Sequence, residues 1–110
     1  MVKVEGKAKE VMEKVEVVAI GTCSEDGVHL VATWGEYVRN LGIQNDEILL
    51  IPAGGYRKTE QNLRNNPRAE VLVGSKEAGT GFRLSGHGEV QTSGEWAEMA
   101  KLKYPWARGT

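Results

Sequence analysis

The stretch Ile51-Pro52-Ala53-Gly54-Gly55-Tyr56-Arg57-Lys58-Thr59 holds the residues best suited to grip a charged ligand. Two adjacent glycines let the backbone come close to a bound group. Arg57, Lys58 and Thr59 then bring two cations and a hydroxyl to the expected start of a helix. Unpaired N–H groups and the helix dipole favour an anion at such a terminus, most naturally a phosphate. No glycine immediately precedes Lys58-Thr59, so the stretch is not a Walker A loop. The plain alternative is a strand–turn–helix with a solvated Arg-Lys pair, and the local sequence does not decide between the two.

A second candidate is Thr33-Trp34-Gly35-Glu36-Tyr37, at the expected end of a strand. Trp34 and Tyr37 can flank a planar ring, and the backbone beside Gly35 can offer close hydrogen bonds. Taken alone, rim packing of aromatics is the simpler account. Gly79-Thr80-Gly81 is a third, weaker signal that a β-turn explains as well. His29 and His87 are the only histidines, and no Cys/His/Asp cluster has ligand spacing, so no metal is expected. Cys23 has no nearby histidine in sequence and reads as structural. No residue reads as an essential acid or base, and the catalytic set is left open.

The elements that must position these residues follow from composition and pattern. The chain has 110 residues, 14 Lys plus Arg against 15 Asp plus Glu, and one cysteine. That length suits one domain, the net charge of -1 argues against nucleic acid as a partner, and a single cysteine excludes an internal disulfide framework. The charged N-terminus lacks the apolar stretch of a signal peptide, and no run is long enough to span a membrane, so a soluble, cytoplasmic protein is expected.

Val4, Ala8, Val11, Met12 and Val15 have helical spacing. Val17-Val18-Ala19-Ile20 reads as a strand, Asp26-Gly27 as a hairpin turn, and Val28 to about Tyr37 as the return strand. Gln44-Asn45-Asp46 reads as a turn. Glu47 to Ile51 is a buried-type strand ended by Pro52. Thr59 is expected to cap a short helix through Leu63. Ala69 to Val73 and Phe82 to Gln91 are further strands, the latter bent at Gly86 and Gly88. Thr92-Ser93-Gly94-Glu95 has a capping-box pattern before a last helix with Trp96, Met99 and Ala100 on one face. Together these make a small β-barrel with helical decoration.

The order Val17-Val18-Ala19-Ile20-Gly21-Thr22, then Asp26-Gly27-Val28-His29-Leu30-Val31-Ala32-Thr33-Trp34, then Ile51-Pro52-Ala53-Gly54-Gly55 with Arg57-Lys58-Thr59-Glu60, resembles the FMN-binding split β-barrel superfamily. That superfamily includes pyridoxamine 5'-phosphate oxidase, and the likeness is greatest to its small FMN-binding members. Gly79-Thr80-Gly81-Phe82, Gly86 and the segment Lys103, Trp106-Ala107-Arg108 also fit, so the likeness runs from about Val17 to Arg108.

The resemblance implies a mainly β, Greek-key split β-barrel with short flanking helices, one FMN-binding domain over residues 1–110, and a homodimer with the flavin at its interface. It implies phosphate ligands at Lys58 and Thr59 with Arg57 beside them, and a backbone cradle at Gly54 and Gly55. Thr33 and Trp34 would lie along the isoalloxazine, with Tyr37 near the ring. Trp106 is similar to an aromatic residue that packs on the flavin of the partner subunit.

Two departures stand out. Ala32 occupies a position where the family often has Asn. The family also continues with an apolar strand after the Trp-Ala-Arg segment, so that strand is expected to be absent here and its edge covered by a partner or by the N-terminal segment. The implied role is an electron-transfer protein or small oxidoreductase with an unknown redox partner. The alternatives are a pyridoxamine-phosphate-oxidase-like or flavin reductase enzyme, drawing on Arg39, Arg83 and His87, and a non-enzymatic flavin binder. Neither nucleic acid nor membrane is an expected partner.

Overall fold

A computed structural model describes residues 4–45 and 47–110. The chain opens with helix α1 (Lys7–Lys14), which buries Val11 and Met12 and leaves its charged side outward. Strands β1 (Val17–Ser24) and β2 (Gly27–Trp34) form the expected hairpin, turning at Glu25-Asp26, one residue before the expected Asp26-Gly27, with Gly27 at φ 115° opening β2. Helix α2 (Gly35–Leu41) follows, then two short strands, β3 (Ile43–Gln44) and β4 (Ile48–Leu49). Helix α3 (Arg57–Asn65), strands β5 (Arg68–Ser75) and β6 (Thr80–His87), and helix α4 (Glu95–Lys103) complete the order. Asp46, part of the expected turn near residue 45, lies outside the described residues.

The four long strands form an antiparallel sheet in the order β2-β1-β5-β6, and β3 pairs with β4 in a second, small sheet. Strand alternation divides the large sheet into two faces. Val18, Ile20 and Val73 point inward and pack with Val11, Met12, Val15 and Val38. Ile43, Leu49 and Ile51 from the small sheet and its exit close over the same core. A second cluster joins Leu41 and Leu50 to Ala100, with Trp96 and Met99 packed against it, as the pattern on the last helix predicts. Two sheets enclosing one core, with helices at the flanks, make the mainly β split barrel.

Several boundaries differ from the sequence expectations. The return strand stops at Trp34 and does not reach Tyr37, because Gly35, Val38 and Leu41 are buried at helical spacing. Gly35 sits so close to Val15 that any Cβ there would strike the Val15 carbonyl, and its N–H donates to Glu16 O at 2.8 Å. The strand expected over Glu47 to Ile51 is paired only at Ile48 and Leu49, since its partner offers only Ile43 and Gln44. The strand expected from Phe82 to Gln91 runs from Thr80 to His87 and stops where its partner β5 begins.

Two helix starts also differ. Thr59 does not cap α3, which begins at Arg57 behind Tyr56 and runs on to Asn65. The Gly54-Gly55 turn allows the earlier start, with the Arg57 N–H donating to Gly55 O at 2.9 Å. The capping box at Thr92 does not form, because α4 begins at Glu95 behind Gly94 with no side-chain cap. The chain near Thr92 is tied instead to the end of the described chain, through Gln91 N–H to Thr110 O at 2.8 Å and Thr110 N–H to Gln91 O at 2.9 Å.

Candidate functional site

The end of β2, the start of α2 and the stretch after α4 meet around an open groove of about 360 Å³. Val17, Ala32, Thr33 and Trp34 line its sheet side, and Tyr37, Tyr56 and Trp106 line the other. Trp34 is 62% exposed and Trp106 is 49% exposed, unusual for residues with so much apolar area to bury. The aromatic wall is fixed in place. Tyr37 lies 5.3 Å from Trp106 and 4.7 Å from Tyr104, centroid to centroid, and Tyr104 accepts a hydrogen bond from Asn40 Nδ2 at 2.9 Å. Such a slot suits a planar ring presented edge or face to aromatics.

Tyr56 joins this groove to a polar turn. Its hydroxyl donates to Ala32 O at 3.0 Å, while its carbonyl accepts the first helical bond of α3, from the Glu60 N–H at 2.9 Å. Immediately after it come Arg57, Lys58 and Thr59, with first-turn N–H groups that have no intrahelical acceptor. Absence of a side-chain cap is shared by α1 and α4 and is not distinctive. Three other features bear on an anion at α3, the first of them shared with α1, which also starts with two cations, Lys7 and Lys9.

First, Lys58 and Arg57 put positive charge at the positive end of the helix dipole, an arrangement that an anion would relieve. Second, the only ion pair of Lys58 among the described residues is with Asp26, at 4.0 Å and largely exposed, which holds it weakly. Third, Thr59 is 4% exposed, yet its Oγ1 has no hydrogen-bond partner among the described residues. A buried hydroxyl left unpaired costs about 1–3 kcal/mol. Three residues along the same helix, Asn62 is equally buried but donates from Nδ2 to Thr22 Oγ1 at 3.1 Å. The unpaired Thr59 therefore marks a place where an acceptor or donor belongs.

The sequence-derived residues fall into two linked groups. Thr33, Trp34, Tyr37 and Trp106 share the groove. Gly54, Gly55, Lys58 and Thr59 belong to the polar turn. Gly54 also touches the groove side, since a Cβ there would lie 3.1 Å from Trp106 Cε3, whereas a Cβ at Gly55 would meet nothing within 4 Å. Arg57 is separated from Lys58 by the helix twist and faces a polar cleft of about 410 Å³ with Glu60, Gln61, Arg64, Thr92 and Arg108. Arg39, Arg83 and His87 do not line the groove. Arg39 donates to Val15 O, Arg83 pairs with Glu70 at 3.7 Å, and His87 is exposed on β6.

Sequence reasoning missed Tyr56 and Arg108 as site residues. Tyr56 had a visible signal, an aromatic between a glycine pair and a cationic pair. Arg108 had no local one, because its partners are 54 and 48 residues away. Among the described residues, no helix is long and apolar enough to cross a membrane, and no group of three His, Cys, Asp or Glu side chains is gathered as for a metal ion.

Residues 4–107 match the pyridoxamine 5'-phosphate oxidase family. The chain is also similar to an FMN-binding protein of Nitratidesulfovibrio vulgaris (strain DSM 19637 / Miyazaki F). The two are 38% identical over 106 residues, a span covering 90% of this chain and 83% of that protein.

Proposed function

The chain belongs to the pyridoxamine 5'-phosphate oxidase family, and from that premise we propose that it binds FMN and serves as an electron-transfer flavoprotein. FMN combines a planar ring with a phosphate, and the site offers an aromatic slot joined by Tyr56 to a cationic helix terminus. The observation that carries the reading is the buried, unpartnered Thr59 hydroxyl beside Lys58. Lys58 and Thr59 would hold the phosphate with the first N–H groups of α3. Gly55 leaves open space beside the backbone for the approach. Trp34, Tyr37 and Trp106 would limit water at the ring, and Thr33 would lie along it.

When bound, FMN supplies one- and two-electron redox chemistry, and the protein supplies placement and electrostatics. The groove is lined by Val17, Ala32, Thr33, Trp34, Tyr37, Tyr56 and Trp106, with no carboxylate, imidazole or amine among them. Electron transfer needs no acid or base beside the ring, and this lining suits it; a substrate-directed oxidase or flavin reductase would add a second basic or aromatic pocket over the exposed flavin face.

The outer face of the large sheet supports the homodimer reading. Val17, Leu30, Val28, Trp34 and Leu72 are all exposed and share that face by register. Val17, Ala32 and Trp34 belong both to this face and to the groove. A second copy covering the face would also wall the flavin.

The test is to add FMN to flavin-free protein and follow absorption and fluorescence. A structured flavin band at one FMN per chain, without catalytic oxidation of NADH or NADPH, is expected. Protein that leaves the FMN spectrum unchanged sinks the reading, and rapid pyridine-nucleotide oxidation replaces it with the reductase alternative. Lys58→Ala is expected to weaken FMN about tenfold to a hundredfold, the loss of a hydrogen bond to a charged group, and to leave riboflavin unaffected.

A further inference from the structure

We infer that Arg108 is a positioning residue that fixes the phosphate end of the site through Gly54 and Glu60, an inference that rests on the FMN reading above. Arg108 touches both of them. Its Nε donates to Gly54 O at 2.6 Å, and its Nη2 donates to Glu60 Oε2 at 3.2 Å. Glu60 lies in the first turn of α3, is only 14% exposed at its side chain, and is held on its other oxygen by Arg64 at 2.9 Å. One guanidinium thus fixes the carbonyl of the glycine cradle and the first turn of the helix behind it.

The backbone around Arg108 acts in the same direction. Its N–H donates to Ala53 O at 2.7 Å, and the Ala53 N–H donates to Gly109 O at 2.8 Å. Two residues earlier, the Trp106 ring lies over Gly54, so close that an added Cβ would come within 3.1 Å of it. Residues 106–109 therefore form a strap across the Ala53-Gly54 backbone. The strap delivers Trp106 to the groove at one end and sets the start of α3 through Arg108 and Glu60 at the other.

A lysine cannot reproduce this. The planar fork of arginine serves two acceptors in fixed directions, whereas an ammonium is a single point at the end of a flexible stem. Arg108 is a positioning residue in this account, acting on the phosphate through Gly54 and Glu60. The consequence is specificity: the strap sharpens preference for the phosphorylated flavin.

The experiment measures dissociation constants for FMN and for riboflavin with wild type, Arg108→Gln, Arg108→Lys and Glu60→Gln, alongside amide exchange of the flavin-free proteins. The FMN-to-riboflavin preference is expected to fall about tenfold in both Arg108 variants, as one well-placed hydrogen-bonded contact is lost. It is expected to fall severalfold in Glu60→Gln, and exchange at Ala53 and in the first turns of α3 is expected to quicken. Equal loss of both ligands would make Arg108 merely structural and overturn the inference. Tighter FMN binding by Glu60→Gln would also overturn it, since the Glu60 carboxylate would then only repel the phosphate and position nothing. Unchanged preference in Arg108→Lys, which keeps charge and bulk, contradicts it even if Arg108→Gln folds poorly. Wild type that binds neither flavin overturns the FMN reading itself, and this inference with it.

Discussion

The inner face of the four-stranded sheet is apolar, whereas the outer face is apolar over β2 and β1 and charged over β5 and β6, where Arg68, Glu70 and Arg83 lie. Inward, Val18, Ile20 and Val73 are buried against Val11, Met12, Val15 and Val38. Outward, Leu30 is 69% exposed and Val28 is 72% exposed, with Trp34, Val17 and Leu72 beside them. A strand buried on one side normally alternates apolar and polar, while a strand covered on both sides reads as a continuous apolar run. Val17-Val18-Ala19-Ile20 is of the second kind. The chain covers one face of that run with its own helices, and the outer face carries the signature of a surface to be covered by something else. Contiguous exposed apolar surface of this type marks interaction sites. The inner face secures the fold, and the outer face, which continues into the aromatic groove, is where function is proposed.

Substitutions on the two faces can break that distinction. Met12→Ala empties a packed inner position and is expected to cost about 2–5 kcal/mol of unfolding free energy, measured by urea denaturation. A loss as small as that of a surface change would mean that α1 is not integral to the core. Leu30→Glu, on the outer face, is expected to shift sedimentation from the proposed dimer to monomer, since a charge buried in an apolar contact loses its hydration. Its protomer is expected to keep its fold and its far-ultraviolet dichroism. Dissociation with unfolding would place Leu30 in the core.

Thr59→Val sharpens the contrast on the sheet-facing side of α3. Asn62 donates to Thr22 there, whereas Thr59 Oγ1 has no partner among the described residues. Replacing that hydroxyl by a methyl is expected to stabilise flavin-free protein by about 1 kcal/mol and to weaken FMN. A stability loss with unchanged FMN affinity would show that the hydroxyl serves the fold. Trp34→Ala is expected to have the smallest effect on stability, within about 0.5 kcal/mol, because the ring is already exposed. It is expected to alter the fluorescence of bound flavin, and an unaltered signal would move the ring out of the groove.

Much of this was legible in the sequence. The paired runs around Asp26-Gly27 predicted the hairpin, whereas the glycine pair before Arg57-Lys58-Thr59 left an anion site and a solvated turn equally open. Less visible was anything depending on close approach between distant segments. The return strand seemed to reach Tyr37 because the role of Gly35, packed against Val15, is set by a contact 20 residues away and not by local pattern. Thr59 looked like a cap because its type suits one, yet the glycine turn starts the helix three residues earlier, with Tyr56 in the cap position. Arg108 stands in a segment that fits the resemblance, but nothing local marks its role, since its partners on Gly54 and Glu60 are brought to it only by folding.

The most direct measurement is a paired titration of flavin-free wild-type protein with FMN and with riboflavin, which share a ring and differ in the phosphate. The structure predicts that both bind, that both change the flavin spectrum through the aromatic groove, and that FMN binds at least about tenfold more tightly through the first turn of α3. Equal affinities would remove the phosphate from Lys58 and Thr59, and binding of neither would contradict the flavin site altogether.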